Sequence, residues 1–339
     1  MRVHNEILKT LINNASHFGI DEMEIYKDTG LNAGTLNEAE GMQDWSAGIK
    51  VWESILQRSN YRQISLNFGK RITFSVLGWI SPLVSSSSDL LTAWKSIVNF
   101  FPLMGDMFEY HLLELSDGSV KIVYKPSATW VEKSSVTAAM AVEHAMSLTL
   151  AISGFLVGQK ITPLKANFTY GVKPSDRSFY QDIFGNVSFG ENENSLHFSK
   201  ETSETKTVSG NQLTYEFMLK LCSEKLSGVQ RSAGYYSKVK RILFNKESYY
   251  NLKIEEVAAM LNTSTRTLQR NLKEEGYTYQ SILDEHLVDS ATTLLAKPGV
   301  QIQEVAFILG FESAQSFSRA VKKKTGKSPT SLKASIFKD

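Results

Sequence analysis

Three side chains in the C-terminal third of the chain, Arg266, Gln269 and Arg270, have the chemistry and the spacing to read DNA bases. An arginine can make two hydrogen bonds to a guanine in the major groove, and a glutamine can make two to an adenine. Residues three or four positions apart lie on one face of a helix. The spacing therefore predicts a recognition helix over residues 265–275 that presents these groups to DNA, with Lys273 on a phosphate.

The elements that would hold this helix lie on either side of it. Upstream, a support helix carries an apolar stripe formed by Ile254, Val257, Ala258 and Leu261. Asn262-Thr263 supplies a turn, and Ser264 is placed to cap the recognition helix by accepting a hydrogen bond from its first amide groups. Gly276 suits the left-handed residue that ends a helix. Together these features predict a helix-turn-helix unit over residues 252–276.

The same arrangement recurs 48 to 49 residues later, over residues 300–326. Its stripe, cap and recognition-helix positions are Ile302, Val305, Ala306, Leu309, Ser313, Phe317 and Arg319. The exposed positions of this second copy are shorter and more neutral, so we expect it to position the DNA backbone more than to read bases. The run Lys322-Lys323-Lys324, with Lys327, is expected to clamp phosphates.

A polar face on a single amphipathic helix is usually only solvated, but duplication of the whole motif favours contact with DNA. The residues predicted to contact DNA are Ser264, Thr265, Arg266, Gln269, Arg270, Lys273, Ala314, Gln315, Ser316, Ser318, Arg319, Lys322 and Lys323. Between the two units, the apolar pattern from Tyr279 to Ala296 predicts a linker helix of about 27 Å. Such a helix can hold two recognition helices about one DNA turn, roughly 34 Å, apart.

Length and charge divide the chain into two parts. Its 339 residues are enough for two domains. Residues 231–339 contain 17 Lys and Arg against 11 Asp and Glu, whereas residues 1–230 contain 20 against 24. The basic part coincides with the duplicated motif, as binding to phosphates requires. We therefore predict one domain over residues 1–228 and a second over 235–339.

The first domain is predicted to be α+β and the second all-α. Strands at Tyr110–Leu115 and Val120–Tyr124 flank Asp117-Gly118, a pair that favours a hairpin turn. The apolar spacing predicts an amphipathic helix at Leu90–Phe101 and a long buried helix at Thr137–Val157.

Two polar residues in the long apolar helix bear on whether it spans a membrane and on where an effector binds. Glu143 and His144 interrupt the apolar stretch Val136–Val157, so we expect no membrane span. His144 is the candidate for binding an effector, because a buried polar pair needs a partner or a role; a satisfied core histidine is the alternative. Cys222 is the single cysteine, which excludes an intrachain disulfide and a multi-cysteine metal site. With no signal-type segment at the N-terminus, the cytoplasm is the expected compartment.

The C-terminal hundred or so residues resemble the DNA-binding domain of the AraC/XylS family of bacterial transcription regulators. The likeness rests on STRTLQR at 264–270, the pair Glu275-Gly276, VAFILGF at 305–311, SFSR at 316–319 and TGKSP at 325–329. It implies two helix-turn-helix subdomains on a rigid linker helix, binding to double-stranded DNA, and a response to a signal, with RNA polymerase as the partner of an activator. The chain has Asp284-Glu285-His286-Leu287 where a linker arginine is usual, so that arginine's contact is not carried over.

Residues 1 to about 200 resemble the arabinose-binding-type N-terminal domain of the ornithine-utilisation-regulator branch of this family. The points of likeness are FSVLG at 74–78, the Leu90–Phe101 helix, the hairpin and the long apolar helix. The resemblance implies an effector-binding and dimerisation domain. It does not imply a sugar, because ligands in this branch vary.

Four functions fit these patterns. The favoured one is a DNA-binding transcription regulator, not an enzyme and without cofactor or metal, that responds to a small-molecule effector and forms a homodimer. In the main alternative, the DNA-binding regulator is controlled by protein partners or by its own abundance, without a small-molecule ligand. An enzyme fused to a helix-turn-helix module would need a reactive cysteine at Cys222. A chromosome-packing protein would bind DNA without sequence preference.

Overall fold

The computed structural model describes residues 1–38, 40–59, 63–71, 74–232, 234–244, 252–295 and 300–336. The chain divides into two units, Met1–Leu226 and Ser227–Asp339. Within the described residues the first unit is mixed α+β and the second is helical, as the sequence predicts. Ala296, the last residue of the predicted linker helix, lies outside the described residues.

In the described part of the first unit, seven strands form two sheets. The strands are β1 (Arg2–His4), β2 (Met42–Asp44), β3 (Phe108–Glu114), β4 (Val120–Pro126), β5 (Lys165–Phe168), β6 (Val187–Phe189) and β7 (Asn194–Phe198). β1 pairs with β2, and the larger sheet has the order β3-β4-β7-β5-β6 with only β5 and β6 parallel. The predicted hairpin is confirmed, because β3 pairs with β4 across a turn in which Gly118 takes a φ of 82°.

The longest described helix of this unit, Ser135–Val157, packs against β4 of the larger sheet, and the last one, Gln212–Ser232, continues past the boundary at Leu226. The described helices are α1 (Asn5–Ser16), α2 (Glu22–Thr29), α3 (Ala33–Leu36), α4 (Ser46–Arg58), α5 (Ile64–Lys70), α6 (Ser81–Ser85), α7 (Leu90–Phe100), α8 (Ala128–Lys133), α9 (Ser135–Val157), α10 (Arg177–Phe184), α11 (Lys200–Ser203) and α12 (Gln212–Ser232). Short 3₁₀ segments lie at Phe74–Ile80, Phe101–Leu103 and Pro174–Asp176. The predicted helices at 90–101 and 137–157 correspond to α7 and α9.

α9 is the central helix of the first unit. It is long and apolar enough to cross a membrane, but 72% of its most apolar window is buried within the protein, as in a core helix. It approaches α5 closely at Gly69, where an added β-carbon would lie 1.7 Å from Ser147 Oγ. Only glycine permits that approach. The close crossing fixes the face that α9 turns towards its neighbours.

The second unit contains two small cores that share one helix. Its described helices are α13 (Tyr235–Phe244), α14 (Ile254–Met260), α15 (Thr265–Glu274), α16 (Tyr279–Leu295), α17 (Ile302–Ile308), α18 (Ala314–Thr325) and α19 (Pro329–Ile336). α16, the linker helix, is 17 residues and therefore about 25 Å long. It places Ile282 in the core around α14 and α15, and Leu287, Ala291 and Leu295 in the core around α17 and α18. The linker helix is thus part of both cores.

Candidate DNA-binding surface

Helix-turn-helix unit one consists of α14 and α15. Their buried faces share a core that includes Ala258 and Leu268. The turn between them places Asn262 at a φ of 50°, the one positive φ of a non-glycine residue in the described part of the chain. Asparagine tolerates this left-handed conformation better than most residues. Gly310, with a φ of 79°, takes the corresponding position in unit two, formed by α17 and α18.

The face of α15 opposite its core is exposed and carries the predicted base-reading residues. Arg266, Gln269, Arg270 and Lys273 are all exposed, while Thr265 is partly buried at the first helical position. Arg270 Nε lies 3.7 Å from Glu274 Oε1, and both side chains are about 70% exposed. Such exposed pairs contribute little, so the ion pair leaves Arg270 available to a partner.

Two serines fix where the recognition helices begin. Ser264 Oγ accepts a hydrogen bond from the amide of Thr267 at 3.1 Å, and Ser313 Oγ accepts one from the amide of Ser316 at 3.1 Å. These are N-cap bonds, which satisfy amide groups that the helix itself leaves free. The hydroxyl of Ser316 also donates to Ser313 O at 2.7 Å. The structure thus gives Ser264 and Ser316, both predicted to contact DNA, a role in shaping the helix start.

The first turns of α18 carry shorter and more neutral side chains than those of α15. On one side of α18, the side chains of Phe317 and Val321 are completely buried. The exposed residues predicted to contact DNA on this helix are Gln315, Arg319, Lys322 and Lys323, and the partly buried ones are Ala314, Ser316 and Ser318. Ala314 packs against the core of its unit. The cationic groups of unit two therefore begin at Arg319, the sixth residue of the helix, and continue with the lysines of its last turn.

The lysines at the end of α18 do not all have the same surroundings. Lys324 forms an ion pair with Asp284 on the linker helix. Asp284 also accepts a hydrogen bond from Gln280 Nε2 at 2.9 Å. Lys322 and Lys323 are exposed. Contact of the lysines with phosphate stays a prediction, and Lys324 differs from Lys322 and Lys323 because its ammonium already has a carboxylate partner.

The pair Glu275-Gly276 has a structural role that sequence reasoning missed. The Glu275 carboxylate accepts hydrogen bonds from the amides of Tyr235 at 2.7 Å and Tyr236 at 2.8 Å, so it caps the start of α13. A β-carbon at Gly234 would lie 2.8 Å from this carboxylate. Gly276 takes a φ of 85° directly after it. The signal that could have revealed the cap is a glycine before α13 together with an acidic residue at the end of the recognition helix.

The two adjacent acidic residues of the linker helix, Asp284 and Glu285, have partners on different helices. Glu285 accepts hydrogen bonds from Lys240 Nζ and from Tyr236 Oη, each at 3.1 Å. This pairing joins the linker helix to α13, while the neighbouring Asp284 joins it to α18. Adjacent carboxylates thus connect the linker helix to α18 of unit two and to α13, which shares the core of unit one.

In the first unit, Glu143 and His144 have different surroundings although they are neighbours in sequence. Among the described residues, the Glu143 carboxylate accepts hydrogen bonds from Ser65, from Tyr180 and, at 3.0 Å, from Tyr170. Burial raises the pKa of Glu143, and these hydroxyls oppose the rise. His144 instead lines a cavity of about 100 Å³. Burial lowers the pKa of His144 to about 4.

The low pKa of His144 predicts a pH dependence of stability. Between its ordinary pKa of 6.5 and about 4, the unfolded chain binds a proton that the folded chain does not. The free energy of unfolding should therefore fall as the pH drops through this window, with a slope from this group of at most about 1.4 kcal/mol per pH unit. Denaturant unfolding at several pH values should show a shallower slope for His144→Leu. An unchanged slope would contradict the assignment.

Cys222 does not have the surroundings of a nucleophile. Its side chain is fully buried, with Sγ 3.7 Å from Trp79 O. Burial raises the pKa of the thiol, and nearby Lys225 opposes this less strongly. Reactive cysteines have a lowered pKa and are accessible. Nothing around Cys222 supports the interpretation as a fused enzyme.

Known proteins resemble both parts of the chain. The model for the arabinose-binding domain of AraC transcription regulators matches residues 19–206, and a helix-turn-helix domain model matches residues 257–335. The ornithine utilization regulator of Pseudomonas aeruginosa is 25% identical over 325 residues, covering 95% of this chain and 93% of that protein. The transcriptional regulator VqsM of the same organism is 24% identical over 177 residues, covering 51% of this chain and 54% of that protein.

Among solved structures, that of the transcriptional regulator CdpR from Pseudomonas aeruginosa is similar at 19% identity, with a TM-score of 0.47 and 96% of each chain covered. The N-terminal family match alone spans more than half of the chain. The helix-turn-helix match begins in the support helix of unit one and includes unit two. The chain therefore belongs to the AraC family of transcription regulators, with an arabinose-binding-type N-terminal domain and a helix-turn-helix domain.

Proposed function

We propose that this regulator recognises a specific double-stranded DNA sequence with two recognition helices, α15 and α18, of a DNA-binding domain over residues 235–339. The observation that carries the proposal is the repeated geometry, in which each helix has a serine cap, a buried apolar side and an exposed cationic side. Helix-turn-helix proteins place such a helix in the major groove with its N-terminal turns towards the bases. Each helix shares a hydrophobic core with the one linker helix, so they would meet DNA together.

The two recognition helices are proposed to have different roles in DNA binding. On α15, Arg266, Gln269 and Arg270 are exposed within the first turns and can form paired hydrogen bonds to base edges. On α18, the exposed cations begin at Arg319. Arg319 takes the position that Arg270 has in α15, whereas Lys322 and Lys323 lie in the last turn of α18. Contacts from the last turn of a recognition helix suit phosphates, which fix register without reading sequence. Unit one would then supply most of the specificity and unit two most of the anchoring.

The salt dependence of binding tests the anchoring role. Lys323→Ala is expected to weaken binding to all DNA sequences alike and to reduce the slope of log K against log salt by about one unit. Lys324→Ala is the matched control, because Asp284 already holds that ammonium. It is expected to leave the slope close to that of the parent chain. Equal reductions in both variants, measured by fluorescence anisotropy across a salt series, would refute the separate roles.

For the first unit, we propose that it binds a small-molecule effector and forms a homodimer in the cytoplasm. The family match over residues 19–206 and the cavity at His144 support an effector. RNA polymerase is the partner to expect if the regulator is an activator. Control by protein partners or abundance is the alternative, favoured if no small molecule changes DNA affinity.

Selection of bound sequences from a random DNA library by the full chain tests the central proposal. The expected result is enrichment of one motif with two conserved segments about one helical turn, roughly 34 Å, apart. The segment contacted by unit one should be the more strictly conserved. Binding without enrichment would instead favour a chromosome-packing protein and overturn the proposed function.

A further inference from the structure

The cavity of the first unit is lined by residues from helices α1, α4, α7, α8 and α9, from strands β1 and β3 and from the segments beside them, and it is partly open. Its volume of about 100 Å³ makes it suitable only for a small molecule. It is of the same order as an engineered protein cavity of roughly 150 Å³ that stays dry and binds benzene. The cavity therefore limits its occupant to about the size of one six-membered ring.

The walls of the cavity are mainly apolar and aromatic. The aromatic residues that line it include Trp52, Phe101, Phe108, Tyr110 and Trp130. Aromatic rings pair favourably edge-to-face or offset, and neighbouring rings of the cavity already do so. Phe101 and Tyr110 are 4.4 Å apart between ring centres, at an interplanar angle of 60°. This lining favours an aromatic occupant over a polyhydroxylated one, whose hydroxyls would lose their hydrogen bonds to water.

His144 supplies a polar group on this apolar wall. The residue is 8% exposed and lines the cavity. In the described part of the chain, its imidazole has no hydrogen-bond partner; its ring instead packs edge-on against Trp52, 5.8 Å away. Thr149, also on the wall, is satisfied, because it accepts from Tyr124 Oη at 2.9 Å and donates to Ala145 O at 2.9 Å. A buried polar group without a protein partner is costly unless a ligand or water completes it.

The charges of the residues that line the cavity disfavour the binding of an anion. The low pKa of His144 keeps its imidazole neutral near pH 7, so it can exchange a hydrogen bond but gives no positive charge. Tyr110 stays protonated, because burial raises its pKa. Arg2 is the cation among the described lining residues, and it is exposed to solvent. A carboxylate in the cavity would therefore lose its hydration without gaining a buried counter-charge.

We propose that this cavity is the effector site and that it takes a small uncharged aromatic molecule bearing one hydroxyl group, with the hydroxyl hydrogen-bonded to the His144 imidazole. The assignment rests on the proposed function, in which the first unit binds an effector. The ring of the effector would occupy the aromatic end of the cavity, between Trp52 and Tyr110. His144 would then select ligands by their hydroxyl group.

Calorimetric titration of the full chain, without DNA, tests the site with phenol, toluene and benzoate as probes. Phenol is expected to bind about ten-fold more tightly than toluene, since it alone satisfies His144, and benzoate is expected to bind more weakly than either. His144→Leu should abolish the preference for phenol over toluene. His197→Leu is the matched control, because His197 also has a pKa lowered to about 4 but does not line the cavity.

The proposal is overturned if no probe binds, if benzoate binds most tightly, or if His144→Leu keeps the preference for phenol. Ala145→Leu gives a second variant, because it fills the cavity from α9 and should abolish phenol binding while the chain stays folded by circular dichroism. If that variant does not fold, the comparison of the two histidine variants decides. Phenol binding that leaves DNA affinity unchanged supports the site but overturns the responsive part of the proposed function. DNA binding without phenol binding overturns the site and leaves the DNA-binding part of the proposed function standing.

Discussion

Replacing Arg270 with alanine is expected to weaken binding to the specific DNA sequence by about 1 to 3 kcal/mol, roughly five- to a hundred-fold. Arg270 is exposed on α15, and its one described ion pair, with Glu274, is solvent-exposed and weak. Its removal should therefore cost little folding stability. Because a bidentate contact to guanine is lost only at one base pair, binding to random DNA should change much less. Fluorescence anisotropy with specific and scrambled duplexes measures both affinities.

Lys273→Ala is the matched control for this prediction. It removes one positive charge from the same exposed face of α15, but a lysine near the end of the helix is expected to contact phosphate. The control should weaken both duplexes by similar factors and leave their ratio unchanged. If Arg270→Ala also weakened both duplexes equally, its assignment to a base would be wrong.

Phe317→Ala is expected to destabilise unit two by about 3 to 5 kcal/mol, the usual cost of removing a fully buried phenylalanine. The side chain is 0% exposed, and its ring lies 5.3 Å from that of Phe311. The smaller side chain leaves a cavity at the centre of a core of only a few helices. Urea unfolding followed by circular dichroism should show the loss, and affinity for both specific and random DNA should fall with it.

Phe307→Ala provides the control with the same change in side chain. Phe307 belongs to α17 of the same unit but is 82% exposed. Its replacement should change the free energy of unfolding by no more than about 0.5 kcal/mol. Equal destabilisation by the two variants would contradict the buried position of Phe317.

The helix-turn-helix units could be predicted in detail because their determinants are local. Val257, Ala258 and Leu268 are buried as their helical spacing predicts. Ser264 and Ser313 cap helices that begin at the next residue, and a cap needs only its own first turn. The exposure of the base-reading candidates follows from the same periodicity. Their contact with DNA stays a prediction.

The contacts that join separate elements could not be predicted, because they depend on the tertiary fold. Lys324 pairs with Asp284, which lies 40 residues away in the sequence. The prediction had instead given Lys324 the same role as its neighbouring lysines. The strand pair β1–β2 was likewise missed, since three-residue strands have too short a pattern to recognise. Within the described residues, the sequence could suggest which side chains are polar but not which partners they reach.

His144 shows the same limit within a single helix. Sequence reasoning treated Glu143 and His144 as one polar pair, yet consecutive residues of a helix point about 100° apart. Glu143 therefore meets the hydroxyls of Tyr170 and Tyr180, while His144 meets the cavity. The choice of His144 as the effector candidate stays a prediction, and the structure corrects only the surroundings that were expected for it.

The two acidic residues of the linker helix limit which operators the protein can use. Asp284 holds Lys324 of unit two, and the next residue, Glu285, holds Lys240 of the helix packed on unit one. Both units are thus fixed in rotation about the same short helix. Each base pair inserted between their two target segments would turn one segment by about 34 to 36° relative to the other. Because the rotation of one unit relative to the other is fixed, the operators should tolerate base changes between the two segments but not changes in their spacing.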